Sequence, residues 1–239
     1  MKTVRTGMNS LVLSLVIVLG AGAAATSHAT TQPAEVVVQD IAGTASYLAG
    51  STWLPLEKNM KLSQGTIIKT HADSTVDLLF YSSFTSLRLT PNSSLRLDKL
   101  SKQAGADMWI TDTSLTLLAG SFAATQRKLA APSRFQVNAA GRVATIVGTE
   151  YYVRSDGAVT VTSGTVSINY NLSGSGGSVK VTVSAGYSFD PTTGQVVATT
   201  PEYLQDIIAH INTTKHNAQV FKVDGATVVV KPEELITPY

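Results

Sequence analysis

Apolar and polar residues alternate with a period of two in run after run of this chain. The stretch "SLRLTPNSSLRLDKL" shows it most plainly: Leu87 and Leu89 share one side with Arg88 opposite, and Leu95 and Leu97 repeat the arrangement around Arg96. Pro91-Asn92-Ser93 reads as the turn between those two strands. Val159-Thr160-Val161, Val166-Ser167-Ile168 and "VKVTV" (Val179 to Val183) keep the same period and carry β-branched residues that suit a pleated surface. A helix does not have this period, so the pattern predicts an all-β body, with a first strand near Val36 to Val38.

Glycine punctuates the strands. "LAGSTW", "LAGSF", "TSGTV" and "SAGYSF" set Gly50, Gly120, Gly164 and Gly186 between strand-like runs, and the four read as equivalent corners. Repeated corners imply strands that turn sharply and stack, as in a two-sheeted sandwich or a short β-helix. Their irregular spacing argues against strict solenoid repeats. Asp156-Gly157 is a two-residue hairpin signal, and Ser173 to Gly177 ("SGSGG") reads as a looser loop.

The period changes at Pro201. Leu204, Ile207, Ile208 and Ile211 fall at i, i+3, i+4 and i+7, which predicts an amphipathic helix with Thr200 as its N-cap and Pro201 in its first turn. Two strand-like runs hinged at Asp224-Gly225 follow. A small C-terminal helix plus β-hairpin, residues 199–239, is therefore expected beside the main β domain, residues 43–198.

Composition adds the compartment. Charged residues make up 14% of 239, and Thr, Ser and Gly carry the polarity, a mixture that suits exported β proteins. Lys2 and Arg5, the apolar run Leu11 to Ala25, and the small residues Ser27 and Ala29 form the three parts of a secretory signal peptide, residues 1–29, with cleavage after Ala29. The run is short for a span of about 30 Å, so no membrane span is expected in the mature chain, residues 30–42 of which form a tether and the first strand. No Cys follows the run, which excludes a lipoprotein anchor. Removing Lys2 and Arg5 from 18 basic residues leaves 16 against 16 acidic ones, so the mature chain is formally neutral and a nucleic-acid partner is not expected. With no cysteine at all, the fold has to stand on its core.

Candidate chemistry is sparse. His71, His210 and His216 have no metal-ligand spacing, and no nucleophile elbow or phosphate-cradling glycine loop occurs, so no catalytic, metal or cofactor site is expected. Asp98, Asp107, Asp112 and Glu150 could each serve a glycoside hydrolase, yet none sits in an acidic-aromatic cluster. Gly148-Thr149-Glu150 could be either a site or a corner. The residues favour a corner: Gly148 permits the turn, Thr149 can bond local backbone, and Tyr151 and Val153 share one face. Trp53, Tyr81, Phe84 and Trp109 are the candidate partner-binding residues.

Taken in order, Gly43, "WLPL" (Trp53 to Leu56), Leu62, Gly65, Ile68, Thr70, "LRLTPNSSLRL", Leu118, Gly120, Phe135, Val137, "VATIVGTEYYV", "VTVTSGTVSI" and Ala185-Gly186-Tyr187 resemble the FecR-like domain. That module occurs in extracytoplasmic regulators of sigma factors and in other exported bacterial proteins. The resemblance covers about Gly43 to Phe189 and implies an all-β fold like a short two-sheeted β-helix, with Gly-Thr-Glu-Tyr at its most recognisable point. Two departures stand out: "FYSSFTS" (Phe80 to Ser86) replaces a tight Asp-Gly or Asn-Gly hairpin, and Ser163 replaces an acidic residue. Classical regulators carry a cytoplasmic anti-sigma segment before a membrane helix, and here ten residues precede the apolar run. The expectation is therefore a non-catalytic exported protein of the periplasm or cell surface, with an envelope protein as partner. A cell-wall or extracellular glycan is the alternative, and a polysaccharide hydrolase the third reading.

Overall fold

The computed structural model describes residues 30–105, 108–171, 177–215, 219–223 and 226–230. The signal segment, Asp107, most of the Ser173 to Gly177 loop, His216 and the Asp224-Gly225 hinge lie outside the described residues. In chain order the first strands are β1 (Gln32–Pro33), β2 (Val36–Ala42), β3 (Ala45–Ala49), β4 (Thr52–Pro55), β5 (Lys61–Leu62), β6 (Ile67–Thr70) and β7 (Thr75–Phe80). A 3-10 turn (Tyr81–Ser83) leads to β8 (Thr85–Leu89), β9 (Ser94–Gln103), β10 (Ile110–Ala119), β11 (Ser121–Gln126), β12 (Arg134–Ala139) and β13 (Arg142–Ile146). Then come β14 (Glu150–Arg154), β15 (Val159–Ser163), β16 (Thr165–Asn171), β17 (Ser178–Ser184), β18 (Tyr187–Asp190) and β19 (Gln195–Ala198). The helix α1 (Pro201–Lys215) and the antiparallel pair β20 (Gln219–Val223) and β21 (Ala226–Val230) complete the order.

The body is all-β and has two large sheets. One runs β17-β16-β13-β12-β10-β9-β6-β3-β4, with β1 alongside one half of β9; the other runs β19-β18-β15-β14-β11-β8-β7-β2-β5. The chain passes back and forth between them. In the N-terminal half the corners at Gly43, Asp73, Asn92 and Gly120, all with positive φ, change sheet at one end of the strands, and further crossings lead from β4 into the short β5 and back to β6. In the C-terminal half it changes sheet at Gly148, Gly164 and Gly186, at the opposite end. The handover falls at β10 and β12, which pair in parallel while the other described pairs are antiparallel. Strand β11 crosses the second sheet between them, so β10-β11-β12 is one coil of a helix of strands. That coil carries the chain to the other end.

The strand period therefore held and the turn at Pro91-Asn92-Ser93 forms between its two strands, but two other turn readings change. The turn at Pro91-Asn92-Ser93 passes between sheets: β8 belongs to the second sheet and β9 to the first, so Leu87 and Leu89 face Leu95 and Leu97 across the core. Gly50 differs from the other three predicted corners, because it joins β3 to β4 within one sheet. Asp156-Gly157 closes a three-residue loop, not a two-residue one. Arg154 N–H donates to Ala158 O at 2.9 Å, and the Asp156 carboxylate accepts from Ala158 N–H at 3.0 Å, which stabilises the extra residue.

The inward faces close on one continuous apolar layer. Phe80 meets Phe135 edge-on at 5.6 Å across the two sheets, and Phe122 meets Tyr151 at 6.0 Å between adjacent strands of the second sheet. Each such fully buried side chain contributes about 1.5–3 kcal/mol of transfer free energy. At the first set of corners the backbone is tied by buried hydroxyls. Thr70 Oγ1 donates to Thr90 O at 2.6 Å and accepts from Ser93 N–H at 2.9 Å, while Ser93 Oγ accepts from Ser121 N–H at 2.9 Å. Here the Thr and Ser content satisfies backbone groups that leave one sheet before they can pair in the other.

The helix forms as its spacing predicts. Thr200 O accepts from Leu204 N–H at 2.9 Å, and Thr200 Oγ1 accepts from Tyr203 N–H at 3.4 Å. Ile207 and Ile211 are buried against Ala123 and Tyr152, on the outer face of the second sheet. Arg88, opposite Leu87 and Leu89, lies on this side too and makes two bonds to the buried Asp77 carboxylate, at 2.7 and 2.5 Å.

Candidate functional site

The Gly148-Thr149-Glu150 triplet is where β13 leaves the first sheet and β14 enters the second. Gly148 has φ +77, and a Cβ there would fall 2.5 Å from Lys128 Cα and 2.8 Å from Lys128 N. Thr149 is buried and pairs fully: its N–H and C=O each bond Gln126 backbone at 3.0 Å, and its Oγ1 donates to Thr165 O at 3.0 Å. The next corner stacks on this one, since a Cβ at Gly164 would lie 2.8 Å from Gly148 O. Close backbone approach from both sides leaves no room for a reacting molecule. Glu150 accepts from Thr162 Oγ1 at 3.2 Å through its carbonyl and 3.4 Å through its carboxylate, which places it in the ladder.

The other acids are engaged by cations. Asp98 pairs with Arg96 and accepts from Thr116 Oγ1 at 2.5 Å, and Asp112 pairs with Lys99. His71 Nε2 lies 3.1 Å from Ser46 Oγ, and the His210 ring stacks on Tyr152 with centroids 6.5 Å apart. Among the described residues, no three His, Asp or Glu side chains converge as metal ligands.

The four aromatics do not form one patch. Trp53, 46% exposed, and Leu54, 39% exposed, stand on β4, the outermost strand of the first sheet. All four residues of β4 are exposed, and its outer side has no described neighbour. Tyr81 and Phe84 flank the turn between β7 and β8 in the second sheet. Phe84 takes φ +46 under the Arg127 guanidinium, 5.8 Å from its ring, and burial pushes the Tyr81 hydroxyl up to about 12. Trp109 precedes β10. Trp53 lies in the cross-strand row Leu48, Ile67 and Arg96, whereas Ile110, next to Trp109, lies opposite Gln103. That is seven residues further along β9, about 23 Å at 3.3 Å per residue.

Beside Trp109 is a feature that period and motif could not reveal. A shallow groove of about 370 Å³ runs over β9, β10 and the start of β12, lined by Thr31, Lys99, Lys102, Gln103, Asp112 and Arg134 among others. The Lys102 ammonium lies 4.5 Å from the centre of the Trp109 ring. Spread between residues 99 and 134, these cations gave no basic run in the sequence.

Residues 66–167 match the family model described as FecR protein. Over these residues the chain is similar to the FecR family. The match runs from β6 to β16 and takes in the Gly148 corner, while the resemblance read from the sequence extends beyond it on both sides. The sheets that contain the matched residues continue past those limits, from β2 to β19. Comparison with curated protein sequences gives no match. Two solved structures are similar, both described as a "putative anti-sigma factor from Parabacteroides distasonis ATCC 8503". They share 12% and 13% identity with this chain, have TM-scores of 0.42 and 0.40, and are matched over 56% of this chain. The chain spans 59% of the length of those structures.

Proposed function

We propose that this protein is exported and non-catalytic, and that its FecR domain region serves the cell envelope as a signalling-related module that binds another protein. The observation that carries this reading is the edge strand β4. An exposed, apolar strand end with Trp53 and Leu54 on an unpaired edge is an aggregation hazard unless something pairs with it. A partner contributing an extended segment would satisfy the free N–H and C=O groups of β4 and cover the indole. The fully engaged Gly-Thr-Glu corner and the neutralised acids support a binding role over a chemical one. Export rests on the pattern of residues 1–29 and places the mature protein in the periplasm or at the cell surface.

Two measurements test this. N-terminal sequencing of the protein recovered from the envelope is expected to begin at Thr30; recovery beginning at Met1 in the cytoplasm contradicts export. A photo-crosslinking residue at position 53 is expected to trap one envelope protein, with loss of that adduct when Leu54 is changed to Lys. Position 53 giving no adduct beyond that of a probe at exposed Tyr203 removes β4 as the docking strand.

A further inference from the structure

The first sheet ends at two free edges, and they differ. Strand β4 is four residues long and closes on Pro55, whereas β17 at the other edge has seven residues, SVKVTVS, and no proline. In the second sheet the edge strands β5 and β19 have two and four residues. Strand β17 is therefore the longest edge, and among the described residues no strand pairs with its outer side. A long edge without proline or bulge is a template for another strand. The core is also incompletely closed there: Val179 and Val181 on β17, Tyr170 on β16 and Val196 on β19 are only partly buried.

This edge is complementary to itself. Ala185 N–H donates to Gly164 O at 3.1 Å, and Ser184 lies opposite Thr165. Bonded and non-bonded pairs alternate along an antiparallel ladder, so Val179, Val181 and Val183 bond to β16, while Ser178, Lys180, Thr182 and Ser184 direct their N–H and C=O groups to the free edge. The strand also reads nearly the same in both directions about Val181: valine at 179 and 183, serine at 178 and 184, with Lys180 and Thr182 between. An antiparallel copy placed by a two-fold axis at Val181 sets Ser178 against Ser184 and Lys180 against Thr182, and every free backbone group then has a partner. The valines of both copies share the core-side face, and no lysine faces a lysine. An axis at Lys180 would oppose the two lysines directly, which is unfavourable. A slip of one residue would offer groups already bonded to β16 and turn the valines of one copy to the wrong face.

We infer that β17 is a self-docking edge: two copies of this chain join antiparallel along β17 about a two-fold axis at Val181, so that the first sheet runs continuously through the dimer. Such a contact is isologous and closes at two chains. It lies at the opposite edge of the sheet from β4, so it does not depend on the protein-binding reading and leaves both copies of β4 free.

A contact of two strands is small, so the dimer is expected to form and dissociate with concentration. Sedimentation of the full chain over a concentration series is expected to show a monomer–dimer equilibrium. Position 182 is exposed and, by symmetry, enters the contact twice. Thr182→Glu sets a carboxylate opposite Lys180 of the second copy and is expected to tighten the dimer about two- to thirtyfold, whereas Thr182→Lys opposes two lysines and is expected to weaken it by about the same factor. Cysteines read the register, since the chain has none of its own. Under mild oxidation, Lys180→Cys and Thr182→Cys are each expected to stay unlinked alone, because like positions lie about 7–8 Å apart. Mixed, they are expected to form a disulfide-linked pair, because facing positions lie about 5.5 Å apart. These positions are at the surface, so unchanged circular dichroism confirms that each variant is folded. The inference is overturned if the chain stays monomeric up to about 1 mM. It is equally overturned if Thr182→Glu and Thr182→Lys move the equilibrium in the same direction or not at all, or if the mixed cysteine variants link no better than either alone. A dimer lost on Trp53→Ala and unmoved by the changes at 182 also overturns it and places the contact on β4.

Discussion

Replacing Gly148 by Ala tests the corner reading most sharply, because the structure supplies its own control. Gly148 and Gly186 both turn the chain from the first sheet to the second with nearly the same backbone, φ +77 and φ +83. They differ in surroundings: a Cβ at Gly148 would meet Lys128 Cα at 2.5 Å and its N at 2.8 Å, while nothing lies within 4 Å at Gly186. An alanine in the left-handed region costs about 1–2 kcal/mol, and both variants incur that cost. Both also lose the same unfolded-chain entropy, so that effect cancels in the difference. Gly148→Ala must in addition push backbone against backbone, an overpacking cost of about 1–3 kcal/mol. Gly148→Ala is therefore expected to destabilise by about 2–5 kcal/mol and Gly186→Ala by about 1–2 kcal/mol. At about 2–4 °C per kcal/mol for a domain of this size, the melting difference between them is several degrees. Urea denaturation at constant m-value and a thermal scan of the two variants measure it. Equal midpoints would falsify the claim that close approach, and not the dihedral alone, fixes glycine at 148.

Further outcomes follow from buried polar groups and from the helix. The Tyr151 hydroxyl is fully buried without a hydrogen-bond partner, so Tyr151→Phe is expected to be neutral or to stabilise by about 1 kcal/mol, read from the urea midpoint. Burial also raises the Tyr151 ionisation above its ordinary value near 10. The folded state then holds its proton where the unfolded chain releases it, so stability present below about pH 10 declines above it, and Tyr151→Phe is expected to flatten that alkaline decline. Asp77→Ala leaves the Arg88 guanidinium without its carboxylate and is expected to cost about 3–5 kcal/mol, while changing both residues to apolar ones costs less than either single change. Ile207→Asp is expected to expose the amides of α1 to rapid hydrogen exchange with the sheets still protected; loss of protection throughout would make the helix integral to the β core.

Which residues face inward was legible from the chain. Leu87, Leu89, Leu95, Leu97, Val166 and Ile168 are all fully buried, as an alternation of period two requires. The helix at Pro201 was legible for the same reason, since Ile207 and Ile211 lie four apart on one face. The partners of those faces were not. "LRLTPNSSLRL" has the form of a hairpin, and whether its turn stays in one sheet or crosses to the other depends on the strand that comes to lie beside Leu89. That strand is β11, whose Phe122 arrives more than thirty residues later.

The sequence by itself determined the class of structure: strand-forming side chains at alternating positions, glycine where the chain must reverse, a helix period at the end, and no cysteine to substitute for a core. Only the tertiary structure decided what the polar residues do. Thr70, Ser93 and Thr149 read as ordinary polar positions, and long-range folding buries them at corners where the backbone has no other partner. Asp112 and Arg134 are equally unremarkable along the chain. The parallel pairing of β10 with β12 brings them over one groove, because it places residue 134 next to residue 112. Local period follows from covalent geometry and burial, whereas convergence of charges is set by which distant strands share hydrogen bonds.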